Sequence, residues 1–591
     1  MRSSFIRRFV PLLAAVPLAF IPAAAAGASG TAASGTSASG TAAAGSTPSG
    51  TPVHARITNR QILGTSSSSS TTPAAPSSPS TLPSKQDQIK VLTAALNTMQ
   101  ANYSKFADFS PGPQDIFDYG IGNLWKQGID GAGTTIAVVE GWDLPSIAAQ
   151  VHSFDQNFGL PDPDIETVYP TGPLPATCPP GMVKLGSYGS CNAWGGELAL
   201  DVITAHLIAP YAKIIISATP ADTEETDDAV SQVAMPELMK AVEYIAQNHL
   251  ANTISISDGS GESTYSSKEE ITSQDPGELT AAAAGIPVLV ATGDCGVVQN
   301  LTNASGQCGN VSQGPDTAAW DDSPWVTAVG GSVPNVSPTD GSKLGPDPVW
   351  HEGPFSEGAG YSSVYARPSY QNGVAHITQS PMRSVPDITT DAQDGTSEAA
   401  PLLNGVLALA TQVNQGNNVG PINPLLYNVL GPRGVKAGIE DVVSGNNSAT
   451  TSNGTVTVPG FSAAKGFDVA SGWGTINAAT FVPSLVAATR ANGQDAATRH
   501  QAATALAQLT AGVQLSATGA GGSEYLLAGG FLPGHPVHLT VDGQAVATLT
   551  ATPLGTVTYM IDPATLNLPA GTHQVELSSL LITQTGSFRT R

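Results

Sequence analysis

Four runs decide the fold: TTIAVVEG (134–141), AKIIISATP (212–220), TISISDG (253–259) and IPVLVATGD (286–294). They are short, rich in β-branched residues, and lack the alternation of a half-exposed strand. Between them GELALDVITAHLIAP (196–210), MPELMKAVEYIAQNH (235–249) and PGELTAAAAG (276–285) read as helices. Strands buried on both faces and separated by helices predict an α/β fold, a parallel sheet covered on both sides. Open sheets of this kind place their sites at the C-terminal strand ends. Asp258 and Asp294 stand at two such ends.

Outward from this core the character changes. Residues 1–26, MRSSFIRRFVPLLAAVPLAFIPAAAA, have three arginines, an apolar stretch and small residues suited to cleavage, the pattern of a secretory signal peptide. Residues 27–86 are mostly Ala, Gly, Ser, Thr and Pro, including GTSSSSSTTPAAPSSPS (64–80), and are expected to form a flexible tether. Helical periodicity resumes at KQDQIKVLTAALNTMQANY (85–103), so the main domain is expected over 87–490. A helical linker is expected over 491–511. Beyond it VHLTVDGQAVATLT (537–550), GTVTYMID (555–562) and THQVELSSL (572–580) alternate polar with apolar residues, and Asp542-Gly543 is a hairpin signature. Residues 512–591 therefore predict a small β-sandwich, immunoglobulin-like.

The 591-residue chain carries a net charge of -23 and only 23 Lys and Arg, which disfavours nucleic acid and anionic membranes as partners. A surface with few cations also gains little repulsion when its carboxylates neutralise in acid. No segment beyond the leader is long and apolar enough to span a bilayer, so a soluble, exported monomer is expected, free or associated with the cell surface. Four cysteines fall as Cys178 and Cys191, then Cys295 and Cys308, each pair 13 positions apart. Three connectivities are possible; in an exported chain, neighbour pairing would close two short loops, each contributing roughly 3 kcal/mol.

Glu197 and Asp201 lie four apart in a largely apolar helix, so one face presents both carboxylates. Such a pair repels itself unless protons are shared or something uses it. Ser397, in DGTSEAAP (394–401), opens another helix close to Pro401, either as a helix cap or as a nucleophile.

Glu-x-x-x-Asp on a helix, a strand ending in ATGD, and GTSxxxP opening a later helix, in that order, resemble the sedolisins, the serine-carboxyl peptidases. The resemblance runs from about 109 to 482 and includes GAGTTIAVVE, SPWVTAVGGS, GAGYSSVYARPSYQ and VPDI. It implies a subtilisin-like fold and an endopeptidase acting on proteins or peptides at acid pH through an acyl-enzyme. By position it implies Ser397 as nucleophile, Glu197 as general base, Asp201 as the carboxylate supporting Glu197, and Asp294 as oxyanion stabiliser. Glu140 matches a position that in some members extends this network. EDVVSG (440–445) and AAKGFDVASGWG (463–474) resemble the family's calcium loop, implying side-chain oxygens from Asp441 and Asp468 and backbone oxygens from Val442, Ala464 and Gly466. Two departures stand out: Asp258 replaces a residue that is often aromatic, and only Gln393 and Asp394 fill a commonly longer segment before the GTS motif. The competing expectations are a catalytically poor relative that binds peptides, and an adhesion protein that binds through its C-terminal sandwich.

Overall fold

In the computed structural model, described over residues 57–60 and 82–590 apart from gaps of which the longest are 179–190, 220–229 and 300–307, the apolar runs form one parallel sheet. Its strands are β1 (Ile57–Arg60), β2 (Thr135–Glu140), β3 (Ile165–Val168), β4 (Lys213–Ala218), β5 (Thr253–Ile256), β6 (Val288–Ala291), β7 (Thr327–Ser332) and β8 (Ile388–Asp391). The spatial order is β1-β3-β4-β2-β5-β6-β7-β8, every neighbouring pair parallel. The order turns at β2, with β4 on one side and β5 on the other, and a crevice opens at such a point beyond the carboxyl ends of the strands.

The helices used below are α1 (Lys85–Ala101), α2 (Ile147–Phe158), α3 (Cys191–Ile208), α4 (Val230–Gln247), α5 (Asp275–Ala284), α6 (Thr396–Val413), α7 (Ala478–Asn492) and α8 (Gln494–Leu509). Helices α3, α6 and α7 share one apolar core with α1 and α2, while α4 and α5 contribute to a second with β5 and β6. The two cores explain why the strands read as continuous apolar runs: both faces of the sheet are dry. Helix α6 is buried all round from Thr396 to Thr411 except at Ser397, so the one residue of that stretch left partly open is the candidate nucleophile.

Strand β8 is held at its start by a sealed ion pair. Arg383 donates through Nη1 and Nη2 to Asp387 Oδ1 and Oδ2 at 2.8 and 2.7 Å, and Asp387 also accepts from Ala328 N–H, Asn423 and Tyr427. A bidentate pair with its remaining acceptor sites filled is the form in which buried charge is tolerated.

Two expectations shift. Residues 57–60, within the presumed tether, run as a strand beside β3, because a parallel edge offers backbone partners that composition does not reveal. The presumed linker is largely α8, which docks on α5 through Leu279, Ala282, Ala502 and Leu506.

Beyond it β9 (Val513–Thr518), β10 (Ser523–Ala528) and β13 (Val557–Ile561) form one antiparallel sheet. Strands β11 (Pro536–Val541), β12 (Gln544–Thr550), β14 (Gly571–Ser579) and β15 (Ile582–Thr590) form a second. One core spans both, with Leu526, Val537, Leu539, Ile561, Val575 and Leu577 among its buried members. The β11–β12 turn takes positive φ at Asp542 (50°) and Gly543 (78°), the twist that an Asp-Gly hairpin supplies. Among the described residues no helix is long and apolar enough to cross a membrane.

Candidate active site

Five elements deliver side chains to one place. Glu140 ends β2, Asp258 follows β5, Asp294 follows β6, and β8 turns through residues 392–395 into α6, which carries Ser397 in its first turn. Helix α3 brings Glu197 and Asp201 on one face.

The start of α6 shows that Ser397 is not its cap. Gly395 is the N-cap residue, with φ 91°, and Ser397 makes no cap bond. Its side chain instead stands beside Glu197, where it opposes the upward push of burial on that acid. Gly395 cannot be replaced cheaply: φ is left-handed, and a Cβ there would lie 2.7 Å from Asp294 Oδ2. The glycine lets Asp294 press against the helix start. There Thr396 donates to Asp294 Oδ1 from its N–H (2.8 Å) and from its hydroxyl (2.9 Å), and Gly293 N–H donates to Thr396 Oγ1 at 3.0 Å. Oδ1 is thus occupied, and Oδ2 is the oxygen left to carry a proton. Burial raises the Asp294 carboxyl above its usual range despite these bonds.

Behind Ser397 lies a chain of acids. Glu197 is raised well above a normal glutamate by burial and by Asp201, with Asp294 and Asp258 adding to the effect and Ser397 opposing it. Asp201 is fully buried, and burial pushes it up to about 8. Asp201 and Glu140 are hydrogen bonded carboxyl to carboxyl, a contact that requires a proton between them, and Glu140 Oε1 and Asp201 Oδ1 find no other donor. Burial raises Glu140 well above its ordinary value, with Asp201 and Glu197 adding to it. Asp258, pushed to about 6 by burial, adds a further carboxyl beside Glu197 and Glu140 where an aromatic residue was the expectation.

Ser257, which sequence reasoning passed over, ties this chain to the nucleophile. Its hydroxyl lies 2.8 Å from Asp201 Oδ2 and 3.2 Å from the Ser397 carbonyl. That carbonyl lacks a helical partner because the residue four on is Pro401, which has no N–H. The signal was Pro401 itself, since a proline four residues after the nucleophile orphans its carbonyl. Thr396 was also missed.

The cysteines pair as neighbours, Cys178 with Cys191 and Cys295 with Cys308, at Cα separations of 5.8 and 5.2 Å. One bridge opens α3 six residues before Glu197, and the other begins immediately after Asp294. His206, on the same helix, is fully buried and 2.9 Å from Asp155, a packed residue outside the site. Asp394 is exposed, and its N–H donates to Glu398 Oε2 at 3.1 Å.

The residues matched to a calcium loop also converge. Gly466 N–H donates to Asp441 Oδ2 at 2.9 Å and Ala464 N–H to Asp468 Oδ2 at 2.6 Å. Asp441 Oδ1 is buried without a partner, and burial pushes Asp468 to about 6. An orphaned carboxylate oxygen among hard oxygen donors on Gly-assisted turns fits a calcium ion.

The crevice of this α/β fold thus gathers a serine beside a glutamate, an acid pair behind them and a carboxyl at a strand end. No model of a known protein family matches the chain. Among curated proteins it is 28% identical to kumamolisin of Bacillus sp. (strain MN-32) over 351 residues, which is 55% of each chain. It is also 28% identical to sedolisin of Pseudomonas sp. (strain 101) over 283 residues, 43% of this chain and 44% of that one. A solved structure of Pseudomonas sedolisin, a serine-carboxyl proteinase complexed with pseudo-iodotyrostatin, aligns over 62% of this chain and 94% of its own at 24% identity with a TM-score of 0.49. These relatives are serine-carboxyl peptidases of the sedolisin type, and the chain is similar to them. It spans about half the length of these curated relatives.

Proposed function

We propose that the protein is an exported serine-carboxyl endopeptidase that hydrolyses peptide bonds of proteins at acid pH. The observation that carries this reading is the Ser397 side chain standing beside Glu197, with the Asp201–Glu140 pair behind it. A serine hydroxyl attacks a carbonyl only as a base removes its proton. Glu197 takes that proton, and the shared proton of Asp201 and Glu140 limits the charge building up behind it. Asp294, protonated at Oδ2, donates to the oxyanion as the carbonyl becomes tetrahedral. Glu197 then returns its proton to the leaving amine, and water releases the acyl group from Ser397 by the same steps. One carboxyl must be ionised while another is neutral, and both stand above their ordinary range, which supports a working range on the acid side of neutrality.

Calcium, held by Asp441, Asp468 and the carbonyls of Val442, Ala464 and Gly466, would tie two loops together away from the chemistry. Residues 512–591 are read as an immunoglobulin-like sandwich appended to the peptidase. Its β13 meets the catalytic domain where Thr558 hydrogen bonds Glu243 of α4.

The test is cleavage of casein across pH 2.5–7 with calcium present, beside Ser397→Ala. The serine variant is expected to lose roughly 10⁴–10⁶ in turnover while unfolding at the wild-type temperature. Wild-type protein without serine-dependent cleavage at any pH would reject the enzyme reading and leave a peptide-binding relative.

A further inference from the structure

A second group of acids lies directly beside the nucleophile and takes no part in the chemistry above. Asp115, Asp391 and Glu398 come from three separate places: the short helix Pro113–Asp118, the end of β8, and the residue after Ser397. All three are fully buried, and one carboxylate oxygen from each lies within 4.8 Å of the others. Asp115 and Asp391 are hydrogen bonded to each other carboxyl to carboxyl, as Asp201 and Glu140 are. Asp115 Oδ1 finds no donor, and the buried hydroxyls of Tyr103 and Tyr119, which stand close enough to Asp115 and Asp391 to feel their charge, have no partner either.

The remaining bonds bind the cluster to the loop that presents Ser397. Glu398 Oε2 accepts the Asp394 N–H at 3.1 Å, closing the shortened turn between β8 and α6, and Glu398 Oε1 accepts the Ser110 hydroxyl at 2.6 Å. Asp391 accepts from Gln393 N–H at 3.0 Å and from its side chain at 3.2 Å, within the same turn. Gly112 N–H donates to Asp115 Oδ2 at 2.8 Å. The turn that sets Gly395 and Thr396 against Asp294 is therefore tied to two of the three acids.

Among the described residues none of the three makes an ion pair with a base. Elsewhere this chain supplies one: Arg383 meets Asp387, and Lys343 reaches Asp118, Asp347 and Glu440 at 2.9, 3.3 and 2.9 Å. The charged and titratable groups facing the triad are Asp118 from its own helix, Asp394 from the turn, and Tyr103 and Tyr119. Asp347 presses on Asp118 and Tyr119, and Glu352 on Asp394. Every one of these acids adds negative charge when it ionises, and the three carboxyls, raised above their ordinary range chiefly by burial, are neutralised by protons.

We propose that Glu398, with Asp115 and Asp391, is a positioning set for Ser397: protons shared among the three hold the turn 392–395 in place, and their loss misaligns the nucleophile. This rests on the peptidase reading above. It adds a requirement for acid separate from the protonation of Asp294, and it fits this chain's short turn, which has a carboxyl bridge at its base.

The experiment is the pH profile of kcat/KM for wild type, Glu398→Gln and Asp115→Asn on one peptide substrate, with near-ultraviolet circular dichroism at each pH. An amide keeps a hydrogen-bonding group and never ionises. Both variants are therefore expected to stay active to higher pH, their alkaline limbs displaced upward by roughly one unit while the acid limb stays put. The wild type is expected to lose tertiary signal around its alkaline limb, and the variants to lose it later. Alkaline limbs that coincide with the wild type in folded variants would overturn the proposal, as would activity lost equally at every pH. An ion content one lower in Glu398→Gln than in wild type would overturn it too, because the triad would then hold a metal cation. If Glu398→Gln does not fold, Asp115→Asn, which lies outside α6, decides. Wild type without serine-dependent turnover would count against the peptidase reading alone, and the dichroism would still test the triad.

Discussion

Glu140, Asp201 and Glu197 on one hand, and Asp115, Asp391 and Glu398 on the other, are two triplets of acids that reach the first turn of the same helix. Each contains a carboxyl–carboxyl hydrogen bond, and in each burial is the main force lifting the acids above their ordinary range. They differ in access. Glu197 is partly open and stands beside the Ser397 side chain, whereas all three members of the second set are sealed and meet backbone N–H groups and Ser110. On the readings proposed above, the same proton-sharing chemistry serves proton transfer in the first set and cohesion in the second.

That division can be broken. After Ser397, the largest effect is expected at Asp294, which belongs to the accessible side: Asp294→Ala should lower turnover by roughly 10²–10³ through loss of the oxyanion donor. Its unfolding temperature should stay near wild type, because Asp294 is partly open to solvent. A variant that unfolds early with turnover per folded molecule intact would place Asp294 with the cohesive set.

Next is stability against pH. Carboxyls whose folded values stand above their unfolded ones hold more protons in the native state, so stability is full below the unfolded range near pH 4 and falls as pH rises through the folded values. Asp201, at about 8, extends that window past neutrality. The unfolding temperature should therefore drop by several degrees or more between pH 4 and pH 8. Calorimetry showing greater stability at pH 8 would mean that cations, and not protons, neutralise these groups.

The smallest effect is expected at Ser257. Ser257→Ala removes one hydrogen bond, worth about 1 kcal/mol, and should slow turnover about fivefold while moving the acid limb of the profile, since Asp201 loses a donor. An unchanged limb would separate Ser257 from the proton-sharing chain.

Much of this was legible beforehand. The four apolar runs declared a parallel sheet because strands covered on both faces need no alternation, and the i,i+4 spacing of Glu197 and Asp201 declared a shared face. Asp258 and Asp294 were conspicuous as acids ending apolar strands. What stayed hidden depends on contacts between distant segments. Ser110 and Glu398 are 288 residues apart, and nothing local marks either as a partner of the other. Residues 57–60 were hidden for a different reason: edge pairing uses backbone groups, which every composition possesses. Helix α8 was read as a helical linker, yet Ala502 and Leu506 dock it on α5.

Proline at position 401 has a mechanical consequence. A helical serine normally hangs from the amide one turn ahead, so that any sliding or fraying of the helix carries it along. Here that amide is missing, and the Ser397 carbonyl is moored to a hydroxyl at the end of β5. The Ser397 carbonyl thus takes its anchor from the sheet and not from its own helix.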